Sequence, residues 1–251
     1  MIKELKIPLP SLSIQQKIAA ILDSANALIE KRKVQIAKLD LLVKSQFIEM
    51  FGDPVTNPMG WEVKRLDQIA NSRLGKMVDA KKQTGEQSYP YLANFNVQWF
   101  RFDFSKLNEM DFDEAGRSEF ALEYGDLLVC EGGEVGRTAI WKNEKQNCFF
   151  QKAVHRVRCK TDICIPEYLS WVMYHKAKTT SFDGLVTSAT IAHLTGEKLK
   201  RLEVQVPPLP LQNRFAEFVQ ATEKSKLEIQ RSLDKLELLY KSLMQKCFAG
   251  Y

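Results

Sequence analysis

Basic residues in the middle of the chain have the types and spacing of a surface that contacts phosphates. In FFQKAVHRVR, Lys152, Arg156 and Arg158 lie at even intervals, so a β-strand would carry all three on one face or its edges. Lysine and arginine bind phosphate oxygens and thereby fix the register of a protein on a nucleic acid. A loop-like basic stretch earlier in the chain adds three lysines to these predicted phosphate contacts: Lys76, Lys81 and Lys82.

Polar side chains that could read bases or bond phosphate oxygens occur in three further segments. Asn94 and Asn96 alternate in ANFNVQWF, and an asparagine amide can pair with the adenine edge in the major groove. The glycines of CEGGEVGR predict a hairpin turn that leaves Arg137 beside exposed backbone. The hydroxyls of Thr187 and Thr190 could bond phosphate oxygens or cap a short helix. A polar strand face and solvated surface charges are the structural alternatives for all these residues.

The sequence contains no arrangement that indicates catalysis, a cofactor or a metal ion. The nucleophile-elbow, zinc-protease, deaminase and P-loop motifs are absent. The carboxylates between residues 109 and 134 match no acid–base pair and favour a solvated acidic face. His155, Cys159 and Cys164 are close in sequence but lack the paired C-x-x-C of a zinc site. We therefore predict a protein that is not an enzyme, without cofactor or metal, in which His155 and His193 serve the structure.

The net charge of +5 is not evenly spread along the 251 residues. Residues 53–203 hold equal numbers of acidic and basic side chains, so the whole excess lies in the two ends. A basic excess is suggestive of a polyanionic partner. The five scattered cysteines predict reduced thiols. Because the sequence also shows neither a signal peptide nor a membrane span, we expect a cytoplasmic protein.

The two ends of the chain are copies of one segment. Without a gap, residues 7–51 align with residues 204–248, and the identical pairs include Pro10/Pro207, Gln15/Gln212 and Leu42/Leu239. A period this long that occurs only twice does not indicate a solenoid. The repeat therefore brackets one central domain.

Each copy predicts a proline-containing element followed by a long helix. Glycine and proline are absent from residues 11–51 and 211–249, and apolar residues recur at helical spacing. Steps of four and three residues indicate a coiled-coil seam, at Ile229, Leu233, Leu236, Tyr240, Leu243 and Cys247 and, less regularly, at Ile36, Leu39, Val43 and Met50. A helix of this length needs a partner, and we expect the two helices to pack antiparallel.

Between the helices the pattern changes to short apolar runs separated by turn residues. SYPYLANFNVQWF, GDLLVCEGGEVGRTAIW and FFQKAVHRVR predict strands, whereas PEYLSWVMYHKAK predicts a short helix with Pro166 in its first turn. The predicted fold class is therefore α+β, with one mixed domain and two long antiparallel helices. The boundaries predicted are 1–52 and 204–251 for the proline elements with their helices and 53–203 for the central domain.

These segments, in this order, resemble the specificity subunit of Type I restriction-modification systems. The resemblance is carried by VQVPPLPLQNRFAEFV, by the long helix that ends in LYKSLMQKCFAG, by FGDPVTNPMGWEVKRLDQIA and by YGDLLVCEGGEVGRTAIW. It implies a DNA-binding subunit whose target-recognition domain reads duplex bases and whose paired helices act as a spacer that docks methyltransferase subunits and, through them, the restriction subunit.

The resemblance implies a subunit with two recognition domains on one helix pair, whereas this sequence contains one such domain. It is similar to half of a specificity subunit, so a homodimer or a second half-length chain is expected to restore the two half-sites of a split target. The alternative is a regulatory or decoy half-subunit that acts by protein–protein contacts. The resemblance implies no catalytic residues and transfers no base contact.

Overall fold

The structure is a computed structural model that describes residues 10–79, 83–179 and 193–249. The helices within these ranges are α1 (Leu12–Phe51), α2 (Leu66–Ile69), α3 (Glu114–Glu119), α4 (Pro166–Lys178), α5 (Gly196–Lys200) and α6 (Leu209–Ala249), with a 3-10 helix at Asn94–Asn96. The strands are β1 (Glu62–Arg65), β2 (Ala70–Leu74), β3 (Ser88–Leu92), β4 (Val97–Gln98), β5 (Arg101–Phe102), β6 (Asn108–Asp111), β7 (Leu127–Cys130), β8 (Thr138–Ile140), β9 (Phe149–Phe150), β10 (Val154–Cys159) and β11 (Glu203–Val206). The α+β class predicted from the sequence, with two long helices, is confirmed.

The chain divides into two compact units, of which the first combines residues 1–46 and 217–251. Its helices contact each other through charged side chains. Lys226 Nζ on α6 donates to Asp40 Oδ1 on α1 at 2.6 Å. A hydrogen bond to Glu30 raises the pKa of Lys33 on α1, and the charge of Glu237 on α6 raises it further. Because the α1 position falls from 40 to 33 while the α6 position rises from 226 to 237, the two helices are antiparallel.

The predicted seam is the less exposed side of both helices. Leu233 on α6 and Val43 on α1 are buried, and the other predicted seam residues of both helices are half-buried. Heptad spacing therefore predicted the face that each helix turns away from solvent. No helix in the described part of the chain is both long enough and apolar enough to cross a membrane.

The second unit, residues 47–216, is built on a four-stranded sheet in the order β2-β10-β7-β8. Every neighbouring pair in this main sheet is antiparallel. A smaller sheet in the order β6-β3-β9 contains one parallel pair, β3 with β9, and two further ladders join β1 to β11 and β4 to β5. A buried core that includes Phe112, Leu128, Trp141 and Phe150 fills this unit.

Two predictions made for the strands and for α4 are confirmed. GDLLVCEGGEVGRTAIW forms the antiparallel pair β7 and β8. Pro166 begins α4, where its missing N–H costs nothing and its fixed φ suits the first helical turn. Lys176 and Lys178 lie in the last turn, where positive charge favours the end of a helix.

The inner ends of the two long helices pack against α4 within the second unit. Phe47 and Phe51 at the end of α1 lie with ring centroids 5.4 Å from that of Phe215 near the start of α6. Tyr168 of α4 completes this aromatic group, 4.8 Å from Phe51. The large apolar area of these rings is removed from water here, so they hold both helix ends on the unit.

Gln212 fixes the start of α6 to the segment that precedes α4. Its side chain is fully buried, and its Nε2 donates to the carbonyl of Ile163 at 3.0 Å and to that of Pro207 at 2.7 Å. Its Oε1 accepts from the backbone N–H of Ile165 at 3.0 Å. One side chain thus satisfies three backbone groups, through two buried hydrogen bonds and one that is partly buried.

Candidate nucleic-acid interface

Three chain segments meet at one end of the main sheet and are joined there by backbone hydrogen bonds. The N–H of Lys152 donates to the carbonyl of Lys76 at 2.9 Å, which links the segment before β10 to the segment after β2. The N–H of Glu131 donates to the carbonyl of Ala153 at 2.9 Å, which adds the β7–β8 hairpin. We call residues 75–76, 131–137 and 151–153 the sheet-end surface.

Lys152 stands at an exposed corner of this surface. The sequence predicted a strand through Lys152, but β10 begins at Val154, and a turn closed by a 3.1 Å bond from the Val154 N–H to the Gln151 carbonyl precedes it. The alternation of Lys152 with Arg156 and Arg158 on one strand is therefore wrong for Lys152. Ala153 has a φ of 82° in this turn, a conformation that a residue with a Cβ adopts only at a cost.

The backbone of Lys76 is hydrogen-bonded to that of Lys152, but the Lys76 side chain directs its ammonium group inward. Its Nζ donates to the Asp111 carbonyl at 2.8 Å and stands 4.7 Å from the centroid of the Phe112 ring. The Asp113 carboxylate is 3.9 Å away. Because these contacts occupy the charge, Lys76 is less able than Lys152 to meet a phosphate.

Arg137 and Asn94 are brought together, and they lock the glycine hairpin to the rest of the unit. Arg137 Nη2 donates to the backbone oxygen of Asn94 at 2.9 Å and to its Oδ1 at 3.1 Å. Asn94 Nδ2 in turn donates to the carbonyl of Gly132 at 2.7 Å. The structure thus gives both side chains a positioning role within the sheet-end surface.

The predicted strand face at Asn94 and Asn96 is wrong, because these residues form a 3-10 helix. Asn96 is 1% exposed, and its amide donates to the carbonyls of Asp103 and Lys106 while its Oδ1 accepts from the Ala93 N–H. Its side-chain groups thus bond the backbone on both sides of the 3-10 helix. Asn96 therefore presents no group to a base edge.

Arg156 and Arg158 lie on β10 as predicted, but internal acceptors occupy both side chains. Arg156 Nη1 donates to the carbonyl of Ala121 at 2.6 Å. Arg158 forms a bidentate pair with the buried carboxylate of Asp126, at 2.7 and 2.8 Å, and also bonds Glu123. The prediction that both arginines project towards phosphates is corrected, since Arg158 pairs with carboxylates of the acidic face predicted between residues 109 and 134. Arg156 instead bonds a backbone carbonyl of the same segment.

Replacing Arg158 with glutamine is expected to lower the free energy of unfolding by about 2 to 4 kcal/mol, because the buried Asp126 carboxylate would lose its paired charge. Urea unfolding of the full chain measures this change. Lys152→Gln is the matched control at an exposed cation and should change the same quantity by less than about 0.5 kcal/mol. Equal stability of the two variants would show that the Arg158 pair contributes nothing to the fold.

Sequence reasoning missed an aromatic and charged group beside the hairpin. Lys178 at the end of α4 bonds Glu134 at 2.5 Å, and its Nζ lies 5.6 Å from the centroid of the Trp99 ring and 5.9 Å from that of Tyr174. Trp99 Nε1 also donates to Glu134 at 2.7 Å. These residues are distant in the sequence, so no local spacing indicates that they meet.

The remaining predicted contacts lie outside the described residues: Lys81, Lys82, Thr187 and Thr190. Among the described residues, no cluster of histidine, cysteine and acidic side chains could hold a metal ion. His155 is buried and bonds the Leu194 carbonyl at 3.2 Å, and burial lowers the pKa of its imidazole. Its contact is that of a structural histidine.

Comparison with known proteins connects this arrangement to one family. A family model described as the Type I restriction modification DNA specificity domain matches residues 1–39 and 58–238. A relative from Haemophilus influenzae, named as a type I restriction enzyme specificity subunit, is 25% identical over 250 residues, which cover 97% of this chain and 59% of the relative. A similarly named MjaX specificity subunit of Methanocaldococcus jannaschii is 21% identical over 196 residues, or 76% of this chain and 46% of the relative.

Solved structures share the fold. A chain from a study of complex assembly in the type I R-M system aligns with a TM-score of 0.69 and 18% identity, over 96% of this chain and 60% of that one. The HsdS subunit of Thermoanaerobacter tengcongensis aligns with a TM-score of 0.61 and 19% identity, over 97% and 60% of the two chains. The chain thus spans about 60% of the length of these proteins. Since the family model covers most of its residues, the chain belongs to the Type I restriction modification DNA specificity family.

Proposed function

We propose that this chain is a non-catalytic subunit that recognises one half of a split DNA target and holds methyltransferase subunits and, through them, a restriction subunit at that site in the cytoplasm. The observation that carries the proposal is the sheet-end surface, where the exposed Lys152 and the rigid glycine hairpin meet within the region that the family model matches. A rigid scaffold with exposed turns at one end suits the reading of a duplex, because phosphate contacts then set the register for base contacts.

Exchanging the recognition domain is expected to change the DNA sequence that the assembled complex methylates. The exchange should run from Asp53 to Val206, because β1 pairs with β11 and both strands must move together. Sequencing of methylated sites in DNA treated with the chimaera and its methyltransferase partner gives the result. An unaltered methylated sequence would refute the proposal and favour the regulatory alternative, a chain that acts only through protein contacts.

The long helices carry matched leucines that support docking of methyltransferase subunits. KLDLLVKS at 38–45 and KLELLYKS at 235–242 are the most similar parts of the two repeats. Leu41, Leu42, Leu238 and Leu239 lie off the seam and are between 46% and 71% exposed. Apolar side chains repeated at equivalent positions of two antiparallel helices suit two copies of one partner, each of which would cover one leucine pair.

The start of α1 repeats the features that fix the start of α6 but lacks their contacts. Gln15 Nε2 donates to the carbonyl of Pro10 at 2.7 Å, as Gln212 Nε2 does to that of Pro207. Within the described residues, Gln15 has no counterpart of the Ile163–Ile165 segment that Gln212 holds. We call the start of α6, where Gln212 holds the Ile163–Ile165 segment, the first seat. We propose that the start of α1 is a second seat, which holds the corresponding segment of another recognition domain.

The contact that Gln212 already makes argues against a second copy of this chain as the source of that domain. In each copy of this chain, the Ile163–Ile165 segment is already bound to Gln212. A homodimer that filled the second seat would therefore have to release these hydrogen bonds, whereas another recognition domain with an unoccupied segment would not. A different recognition domain, whose segment is unoccupied, thus supplies the second half-site of the split target.

A further inference from the structure

The backbone around Lys152 is constrained more tightly than an ordinary surface turn. The N–H of Lys76 donates to the Phe150 carbonyl at 3.1 Å, and the N–H of Lys152 donates back to the Lys76 carbonyl at 2.9 Å. A third bond joins Glu131 to Ala153. The segments on either side of the Gln151–Val154 turn are thus held by bonds to two other parts of the sheet-end surface.

The turn requires a close backbone approach at one residue and a positive φ at another. Gly75 lies so close to Gln151 that a Cβ on Gly75 would collide with the Gln151 carbonyl. Ala153 occupies the left-handed region, with φ of 82°, at the turn position where glycine or asparagine is usual. Backbone strain that a surface turn retains is a reason to look for a function of the residue that it presents.

That residue is Lys152, whose charged group has different surroundings from those of the basic residues nearby. Lys76, Arg137 and Lys178 all direct their charges onto acceptors within the unit. Lys152 is exposed, and among the described residues it forms no salt bridge and no side-chain hydrogen bond. It is therefore the cation of the sheet-end surface that can meet a phosphate without breaking an internal contact.

We infer that the Gln151–Val154 turn is a phosphate anchor for the backbone of duplex DNA, in which Lys152 contacts a phosphate oxygen and Gly75 and Ala153 are positioning residues. The inference rests on the proposed DNA recognition and adds the contact that sets the register of the sheet-end surface. A lysine held on a rigid turn loses less conformational freedom on binding than one on a mobile loop. A single charge contact of this kind is independent of base sequence.

The test is a salt titration of binding to a short mixed-sequence duplex, with the full chain bound to its methyltransferase partner. Each phosphate neutralised adds about 0.9 to the slope of log affinity against log salt, so Lys152→Gln should lower that slope by about this amount. Lys152→Arg should restore it. Lys145→Gln removes the same charge from an exposed position in the β8–β9 loop and should leave the slope unchanged. An unchanged slope for Lys152→Gln, or an equal fall for Lys145→Gln, would overturn the inference.

The positioning roles of Gly75 and Ala153 are tested by the effect of their substitution on the salt slope, with Lys152 present and with Lys152 replaced. Gly75→Ala should displace the turn and lower the slope, but should lower it no further when Lys152→Gln is already present. Ala153→Gly relieves the positive φ and should retain the slope of the parent chain. A further loss in the double variant would reject the positioning role. Absence of any salt-dependent DNA binding by the unaltered complex would instead reject the proposed function.

Discussion

Replacing Leu41 and Leu238 together with lysine is expected to abolish stable binding of the methyltransferase subunit. These side chains are 59% and 71% exposed in the chain alone, so the substitutions should not disturb the helix pair itself. In a complex each leucine would contribute about 1.5 to 3 kcal/mol of apolar burial, and a lysine at the same place would place a charge in an apolar contact. The affinity of each site should fall by about a hundredfold or more.

The repeat also predicts the stoichiometry of this loss. Because each helix carries one of the matched leucine pairs, Leu41→Lys alone should leave a complex with one methyltransferase subunit, and the double variant should leave none. Sedimentation velocity or native mass spectrometry of the mixed subunits measures the mass of each complex. Leu227→Lys is the control, since Leu227 is also 52% exposed on α6 but aligns with the charged Glu30 of the other repeat. A loss of binding with Leu227→Lys would show that general apolar surface, and not the matched leucines, holds the partner.

The elements of the fold that could be predicted are those whose signals are local. The seam of the long helices follows from steps of three and four residues, and Pro166 marks the start of α4 because its own geometry favours that position. Both signals lie within one or two turns of the chain. Local chemistry therefore predicted the helices, the β7–β8 hairpin and the α+β class.

The details of the candidate site depend on contacts between residues that are far apart in the sequence. Arg158 and Asp126 are 32 residues apart, so nothing near Arg158 indicated that a buried carboxylate would occupy its guanidinium. The sequence pattern predicts a strand through Lys152, because the turn places Ala153 at its positive-φ position and alanine does not indicate a positive φ. Within the described residues, the basic side chains that suggested a DNA surface thus divide into those that bond internal carbonyls and carboxylates and the exposed Lys152. Only tertiary structure separates the two groups.

Two glutamines at matched repeat positions are expected to differ in how much the same substitution lowers the free energy of unfolding. Gln212→Ala should destabilise the second unit by about 3 to 5 kcal/mol, because three backbone groups lose their partner. Each unsatisfied buried group costs about 1 to 3 kcal/mol, and solvent recovers part of the loss at the partly buried Ile163 carbonyl. Gln15→Ala removes one partly exposed bond and should change the free energy of unfolding of this chain by less than about 1 kcal/mol. Thermal and urea unfolding of the two variants measure the difference.

Binding at the second seat can be measured in a tandem chain, in which a second copy of the recognition domain precedes α1. Since Pro207 aligns with Pro10, residues 53–206 can be placed directly before residue 10, so that the added recognition domain enters α1 as the natural one enters α6. In that chain Gln15 should hold the Ile163–Ile165 segment of the added domain, and Gln15→Ala should then destabilise this domain by an amount close to that of Gln212→Ala in the natural chain. If Gln15→Ala leaves the tandem chain as stable as its parent, the start of α1 is not a seat for a recognition domain, and the second half-site must be held in another way.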